Sequence, residues 1–250
     1  MRGRQSVKKE ESMEIHPIAH IYTPFKEKFG IPRQGQAARL SKGKIIFEPT
    51  YRRKEAVRGL ENFDYIWLIW EFSQIKKETV FKPVVRPPRL GGNEKIGVFA
   101  SRSPFRPNRL GLSAVRLDQI EWEGDQSPVL WVSGIDMVDG TPLYDIKPYD
   151  GEADIFLEAK SGFVDTHVFE EVQVTIPEEM RDGLDGEYLE ALKEILAKDP
   201  RPAYQRKQER IYGLTYGEYN VRFKASPHQI IVLSVEALNE QKDLSERTKK

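Results

Sequence analysis

The sequence predicts a mainly β protein, with an N-terminal closed, barrel-like sheet followed by a small α+β part. Short strand-like runs recur along most of the chain, separated by turns rich in Pro and Gly, and helical patterns are few. A strand–helix–strand pattern appears only near the C-terminus. The 250 residues are enough to bury a sizeable core.

The predicted strands of the N-terminal part are bounded by turn residues. The run YIWLIWEF is nearly continuously apolar and aromatic, which is typical of a strand buried on both faces. A short helix is predicted over residues 53–62, with Ala56, Val57 and Leu60 on its inner side. The strand-like runs are residues 14–21, 44–47, 65–72, 96–100, 111–122 and 128–138.

The C-terminal part reads as a β-α-β-β unit. Val172, Val174 and Ile176 alternate with polar residues, and a helix follows whose apolar stripe ends before Pro200. Two alternating runs then predict strands over residues 219–225 and 231–235. The predicted divisions are a flexible leader 1–13, a barrel domain 14–165, a small domain 166–240 and a flexible tail 241–250.

The segment FASRSPFRPNRLGLS, residues 99–113, is the most informative stretch of the chain. Pro104 and Pro107 fix φ and remove backbone donors, so this segment is predicted to be a stiff loop. The loop holds Arg102, Arg106 and Arg109, whose guanidinium groups suit carboxylate or phosphate oxygens. The arginines alone do not decide whether this segment is a solvated basic loop or an anion-binding site.

Charge is distributed unevenly along the chain. The totals are balanced, with 39 basic and 39 acidic residues. Between Lys82 and Arg116, eight cations accompany one acid, whereas residues 117–199 contain 22 acids and five cations. This asymmetry favours an anionic partner at the basic segment.

Several classes of protein are excluded or disfavoured. The chain has no cysteine, so disulfides, thiolate metal sites and a cysteine nucleophile are excluded. The four histidines are scattered, and the sequence lacks a Gly-rich dinucleotide fingerprint, a Walker A loop and the HExxH and GxSxG motifs. No apolar run approaches the ~20 residues of a membrane span, and no signal peptide is recognisable. We therefore expect a cytoplasmic protein without a metal.

A second candidate region is the acidic segment IDMVDGTPLYDIKPYD. Its carboxylates crowd a Gly/Pro turn, and turn chemistry alone explains part of the pattern. Alternatively, Asp145, Lys147 and Tyr149 could position a polar substrate or accept a proton. The residues alone support a β-rich protein with a basic anion site beside an acidic turn, and they leave both interpretations open.

Six irregular segments, taken in order, resemble one protein family. They are YTPFKEKFGIPRQG, AVRGLENFDYIWLIWEF, VRPPRLGGN, IGVFASRSPFRPNRLGLS, DMVDGTPLYDIKPY and KDPRPAY. Together they resemble the TrmO family (also TsaA or YaeB), the tRNA N6-threonylcarbamoyladenosine methyltransferases. The resemblance runs from about Ile15 to Leu238.

The resemblance implies a fold, a cofactor and a reaction. It implies a β-barrel that binds S-adenosylmethionine, unlike the Rossmann methyltransferases, usually in a homodimer and followed by a small C-terminal domain. The implied reaction is methylation of N6 of threonylcarbamoyl-adenosine next to the anticodon of tRNA. Ser73 stands where the family commonly has His. The implied cofactor contacts are Gln34, Gly35, Gln36, Ser73, Gln74, Arg102, Leu112, Ser133, Gly134, Ile135 and Asp136.

The resemblance also suggests roles for individual residues. Arg102 is expected to engage an anionic group of the cofactor, and Asp136 is expected to face the cationic end. Asp145 and Tyr149 are the candidate acceptors of the N6 proton, and Lys147 is expected to hold the threonyl carboxylate. Two alternatives remain: a non-catalytic RNA-binding module, and a methyltransferase of the same fold acting on another substrate. The expected contacts to the tRNA substrate are Arg106, Arg201 and Tyr204.

Overall fold

Six antiparallel strands form a closed barrel, and four further strands with one long helix form a second layer. A computed structural model describes residues 13–32, 34–35, 38–75, 80–87, 94–166, 171–201, 205–206 and 208–238. The elements are β1 (Ala19–Tyr22), β2 (Lys42–Phe47), β3 (Tyr65–Glu71), β4 (Val84–Val85), β5 (Ile96–Gly97), β6 (Leu110–Glu121), β7 (Val129–Ser133), β8 (Thr141–Pro148), α1 (Phe163–Thr166), β9 (Gln173–Thr175), α2 (Gly186–Ala197), β10 (Arg210–Tyr216), β11 (Tyr219–Ala225) and β12 (Gln229–Ala237).

The barrel has the strand order β1-β2-β7-β6-β3-β8, which confirms the predicted closed sheet. Side chains alternate across each strand, so one face of every strand fills the barrel. On β3, Ile66, Leu68 and Trp70 point inward and are buried. Burying side chains of this size stabilises a fold by roughly 1.5–3 kcal/mol each. The outward residues of β3 are half-buried or, at Tyr65, exposed, so the prediction of a strand buried on both faces is wrong.

β8 closes the barrel, because it pairs with β1 on one side and with β3 on the other. The sequence pattern predicts an acidic turn here. Pro142 and Pro148 lie within the strand, and Asp145 and Lys147 interrupt its apolar alternation, so the strand pattern is weak. The turn residues Asp139 and Gly140 come directly before the strand.

Other boundaries differ from the predictions where the backbone turns. The helix predicted over residues 53–62 is two 3₁₀ turns, Lys54–Val57 and Leu60–Asn62, separated by Gly59 with a φ of 90°. β7 ends at Ser133 because Gly134 adopts a φ of 75°, which an L side chain rarely tolerates.

The second layer is a sheet of order β10-β11-β12-β9 covered by α2. Asp185 caps α2 by accepting a hydrogen bond from the N–H of Tyr188, and Leu192, Ile195 and Leu196 bury the apolar stripe. The predicted helix and the strands β9, β11 and β12 are present. Strand β10 was not predicted, so the unit is β-α-β-β-β.

The segment between β1 and β2 joins the two layers. Phe25 and Ala38 are fully buried in the core of the second sheet, and Phe25 pairs with Tyr216 across a β-bridge. The backbone N–H of Gly217 also donates to the carbonyl of Pro24, at 2.8 Å. The proposed chain division at residue 165 stays a prediction. No helix within the described residues is long and apolar enough to span a membrane.

Candidate functional site

Two adjacent cavities open at one end of the barrel, and they share Trp70, Phe72 and Asp136. Their volumes are about 230 Å³ and 220 Å³. We call the larger one the apolar cavity. It is lined by Lys28, Ile31, Pro32, Trp70, Glu71, Phe72, Ser73, Gln74, Ile75, Pro104, Asp136, Met137, Val138 and Thr141. We call the other the arginine cavity. It is lined by Trp70, Phe72, Ser101, Arg102, Arg106, Leu110, Gly111, Leu112, Ser113 and Asp136.

Asp136 lies where the two cavities meet, three residues beyond the end of β7. The hydroxyl of Ser113 donates to its Oδ1 at 2.7 Å, and the indole N–H of Trp70 donates to the Ser113 Oγ at 3.0 Å. Burial raises the pKa of Asp136 to about 6. The hydrogen bond from Ser113, the backbone N–H groups of Gly35 and Asp136, and the charge of Arg102 act in the opposite direction.

Gly35 brings the loop after β1 against the end of β7. A Cβ on Gly35 would lie 1.8 Å from the carbonyl oxygen of Gly134, so only glycine fits there. The backbone N–H of Gly35 also supports the Asp136 carboxylate. The turn after β7 and this loop therefore form one wall behind the carboxylate.

The three arginines of the loop before β6 have different surroundings. Arg109 forms an ion pair with Glu71 at 2.6 Å and donates to the carbonyl of Ile75 at 2.6 Å. Arg106 donates to the carbonyl of Ser101 at 2.8 Å, within the loop itself. Arg102 has an exposed side chain at the arginine cavity, and its charge acts on Asp136.

Glu71 is committed to the fold, although it lines the apolar cavity. In addition to its ion pair with Arg109, it accepts a hydrogen bond from the hydroxyl of Tyr144 at 2.7 Å. Burial raises the pKa of Tyr144 to about 12, and the hydrogen bond to Glu71 and the negative charge of Glu71 act in the same direction. This network anchors the end of β3 to β8 and to the arginine loop.

Two protein-family models match this chain. The model of the tRNA-methyltransferase O N-terminal domain matches residues 20–155, and the model of the TrmO C-terminal domain matches residues 169–238. The chain belongs to the TrmO family. The resemblance seen in the six sequence segments is thereby confirmed.

TrmO relatives match nearly the whole chain. The chain is 36% identical to the tRNA (adenine(37)-N6)-methyltransferase of Escherichia coli, over 90% of this chain and 98% of that one. A Pseudomonas aeruginosa relative is 40% identical over 88% of this chain and 96% of its own length. That relative carries a provisional assignment as an S-adenosylmethionine-dependent methyltransferase.

The fold is also that of a solved TrmO structure. The crystal structure of TrmO from P. aeruginosa superposes with a TM-score of 0.73 at 32% identity. The match covers 92% of this chain and 99% of that chain. The barrel with a C-terminal mixed sheet is therefore the TrmO architecture.

Several residues predicted from TrmO motifs meet at the two cavities. Ser73 and Gln74 line the apolar cavity, and Lys28 donates to the carbonyl of Gln74 at 2.9 Å. Arg102 and Leu112 line the arginine cavity, and Leu112 is half exposed. Gln34 lies next to Gly35 but lines neither cavity, and Gln36 lies outside the described residues.

Two predicted cofactor residues point elsewhere. The Ser133 hydroxyl is buried and donates to Asp118 at 3.0 Å. Ile135 is fully buried in the barrel core. Neither side chain lines a cavity, so the segment reaches the cavities through Asp136.

The residues proposed for catalysis lie on the outer wall of the barrel. Asp145 and Lys147 pair with each other at 3.4 Å on β8, and Lys147 is well exposed. The ring of Tyr149 packs against Tyr65 and Trp67. None of the three predicted residues lines the cavities that contain Asp136, which does not support the expected roles at the reacting atoms.

Arg201 was expected to contact tRNA, but its side chain is buried. Only 1% of its surface is exposed, and its guanidinium donates to Asp199 at 2.7 Å and to the carbonyl of Ser226 at 2.8 Å. The burial does not support a tRNA contact. Tyr204, the other predicted contact of that motif, lies outside the described residues.

The predicted site residues include neither Ser113 nor Trp70. β6 buries Val115 and Leu117 on the same face as Ser113. A small hydroxyl residue at an inward position of a barrel strand is the signal that indicates a buried polar contact. Lys28 had no comparable signal, because it lies in a loop.

Proposed function

We propose that this chain transfers a methyl group from S-adenosylmethionine to N6 of adenine 37 of tRNA, next to the anticodon. The full-length match to the E. coli tRNA (adenine(37)-N6)-methyltransferase is the observation that carries the proposal. The preferred substrate is N6-threonylcarbamoyl-adenosine, in keeping with the sequence resemblance. The reaction belongs in the cytoplasm, where tRNA is available.

The side chains at the two cavities fit S-adenosylmethionine. When bound, this cofactor supplies the methyl group on a sulfonium centre and presents an ammonium, a carboxylate and an adenine ring. The exposed guanidinium of Arg102 suits its carboxylate, and the carboxylate of Asp136 suits its cationic groups. The aromatic faces of Trp70 and Phe72 at the shared wall suit a cation and a planar ring.

The protein's contribution to catalysis is mainly positioning. Methyl transfer is an in-line displacement, so the rate of the reaction depends on holding N6 of the adenine close to the methyl carbon. The aromatic wall of Trp70 and Phe72 holds the cofactor at the junction of the cavities, and the apolar lining, including Ile31 and Met137, excludes water. Arg106, at the rim of the arginine cavity, is the described cation we assign to the tRNA.

We also propose that the protein acts as a homodimer. Large apolar side chains are exposed around the arginine loop, namely Phe81, Phe99, Phe105 and Leu112, and the rings of Phe81 and Phe99 stack with centroids 6.2 Å apart. Clustered exposed aromatic residues are typical of interaction surfaces. A second copy placed there would cover the mouth of the arginine cavity. Light scattering on the wild type and on Phe99→Glu tests this, and a monomeric wild type would contradict it.

Nucleoside mass spectrometry of tRNA tests the reaction. Cells lacking the protein should lose the methylated threonylcarbamoyl-adenosine, and wild type should restore it. Arg102→Ala should not restore it, whereas Arg116→Ala should, because the exposed Arg116 lines neither cavity. An unchanged nucleoside profile in the deletion strain would reject the proposed substrate. Binding of tRNA without binding of S-adenosylmethionine would favour the non-catalytic RNA-binding alternative.

A further inference from the structure

Asp136 is the carboxylate shared by both cavities. Among the described residues that line them, the other carboxylate belongs to Glu71, which lines the apolar cavity only. Glu71 already accepts a hydrogen bond from Tyr144 and forms an ion pair with the guanidinium of Arg109. Asp136 is therefore the better placed acceptor for a proton released where the cavities meet.

The hydrogen bonds behind Asp136 have a fixed direction. An indole N–H only donates, so the Ser113 Oγ must accept from Trp70 and can direct its own proton to Asp136. The backbone N–H of Gly35 gives the carboxylate a further donor. These groups hold the carboxylate in one orientation from β3, β6 and the loop after β1.

We propose that Asp136 accepts the N6 proton during methyl transfer and that Ser113 is a positioning residue for this step. The inference rests on the proposed function. The N6–carbon bond forms as the carbon–sulfur bond breaks, and the sulfonium becomes a neutral thioether. The positive charge passes to nitrogen, N6 loses its proton to the Asp136 carboxylate, and the resulting acid releases that proton to water.

The electrostatics at Asp136 suit an acceptor at neutral pH. The charged side chains lining the two cavities around it are Lys28, Glu71, Arg102 and Arg106. Burial raises the pKa of Asp136 to about 6, so the carboxylate is ionised at pH 7 yet more basic than an ordinary aspartate. The rate should fall as pH drops through this value, because the protonated acid cannot accept.

The first test follows the ionisation without measuring activity. In ¹⁵N–¹H spectra of the full chain, the Trp70 indole resonance, assigned with Trp70→Phe, should titrate with a midpoint near pH 6. The reason is the Ser113 hydroxyl that links the indole to the carboxylate. In Asp136→Asn this titration should disappear. A Trp70 resonance that titrates equally in both proteins would overturn the assignment.

The second test uses single-turnover methylation at saturating S-adenosylmethionine and tRNA, from pH 4.5 to 8. Asp136→Asn should lower the rate by ~100-fold or more, the usual contribution of a proton acceptor. Ser113→Ala should move the acid limb of the pH–rate profile to higher pH, because it removes a donor that lowers the pKa of Asp136. A rate within tenfold of wild type for Asp136→Asn, or an unmoved limb for Ser113→Ala, would refute the inference.

The control is Asp139→Asn. This carboxylate follows in the same segment but accepts from the Thr23 N–H and Lys26 and lines neither cavity. The Asp139→Asn variant should show the same acid limb of the pH–rate profile as the wild type. Failure of the proposed function looks different: the wild type would then bind S-adenosylmethionine and show the Trp70 titration, but would methylate no tRNA at any pH.

Discussion

The backbones of Gly35 and Gly134 are in direct contact, so a Cβ on Gly35 would lie 1.8 Å from the Gly134 carbonyl oxygen. This contact joins the loop after β1 to the turn after β7, and both segments hold Asp136. The position of the carboxylate therefore depends on a contact that contains no side chain.

Gly35→Ala should disrupt this contact. The backbone must move to remove the clash, and overpacking of this kind costs ~1–3 kcal/mol. We expect a lower melting temperature and at least tenfold weaker binding of S-adenosylmethionine by calorimetry. Gly151→Ala is the control, because a Cβ there meets nothing within 4 Å and φ is not positive. Wild-type affinity in Gly35→Ala would show that the contact does not shape the site.

Alanine substitutions at Arg102 and Arg109 should have different effects, the first on cofactor binding and the second on the stability of the fold. Arg102→Ala removes an exposed guanidinium from the arginine cavity, so we expect about tenfold weaker cofactor binding with an unchanged melting temperature. Arg109→Ala leaves Glu71 without its cation, and we expect a loss of ~1–3 kcal/mol in the free energy of unfolding. Calorimetry and denaturant unfolding measure the two effects. The assignment fails if the two variants exchange these phenotypes.

Asp136 should make stability depend on pH. Its folded pKa of about 6 lies above the ordinary value of 3.8, so its contribution is fully present below pH 4 and is lost as pH rises through 6. Ionising it in the folded state costs on the order of 2–3 kcal/mol at neutral pH. The free energy of unfolding of Asp136→Asn, relative to wild type, should therefore rise between pH 4.5 and 7.5. A pH-independent difference would mean that the carboxylate is not desolvated.

Local patterns predicted much of the fold. The period of two in β6 and β11 and the apolar stripe of α2 are properties of neighbouring residues, so a single sequence displays them. In β12 the predicted face of Ile231, Leu233 and Val235 is wrong, because Ile230 and Val232 are the buried residues. Strand β8 was missed because it contains two prolines and charged residues. Its strand conformation comes from pairing with β1 and β3, which are distant in sequence.

The site was predicted only in part, for a similar reason. Ser113 and Asp136 are 23 residues apart, and Trp70 and Ser113 are 43 apart, so their contacts depend on the pairing of β6 with β7 and of β3 with β6. The different roles of Arg102 and Arg109 follow from Glu71, which pairs with Leu110 at the end of β3. The spacing of residues within the arginine segment does not show which arginine pairs with Glu71.

Arg201 should prove to be a stability residue. It is buried with Asp199, whose other carboxylate oxygen lies 3.1 Å from Arg206, and its guanidinium also donates to the Ser226 carbonyl. Removing one partner of a buried ion pair typically costs ~3–5 kcal/mol, because the remaining charge stays buried. We expect Arg201→Ala to lower the melting temperature by roughly 10 °C.

Lys224→Ala provides the control for Arg201, since it breaks an exposed ion pair with Glu209. Exposed pairs contribute ~0–1 kcal/mol, so thermal denaturation should barely change. If Arg201→Ala instead kept its melting temperature and lost affinity for tRNA, the guanidinium would have to leave its buried site to bind RNA. The buried Asp199 carboxylate would then lose one of its two arginine partners and keep Arg206, an arrangement that the buried network disfavours.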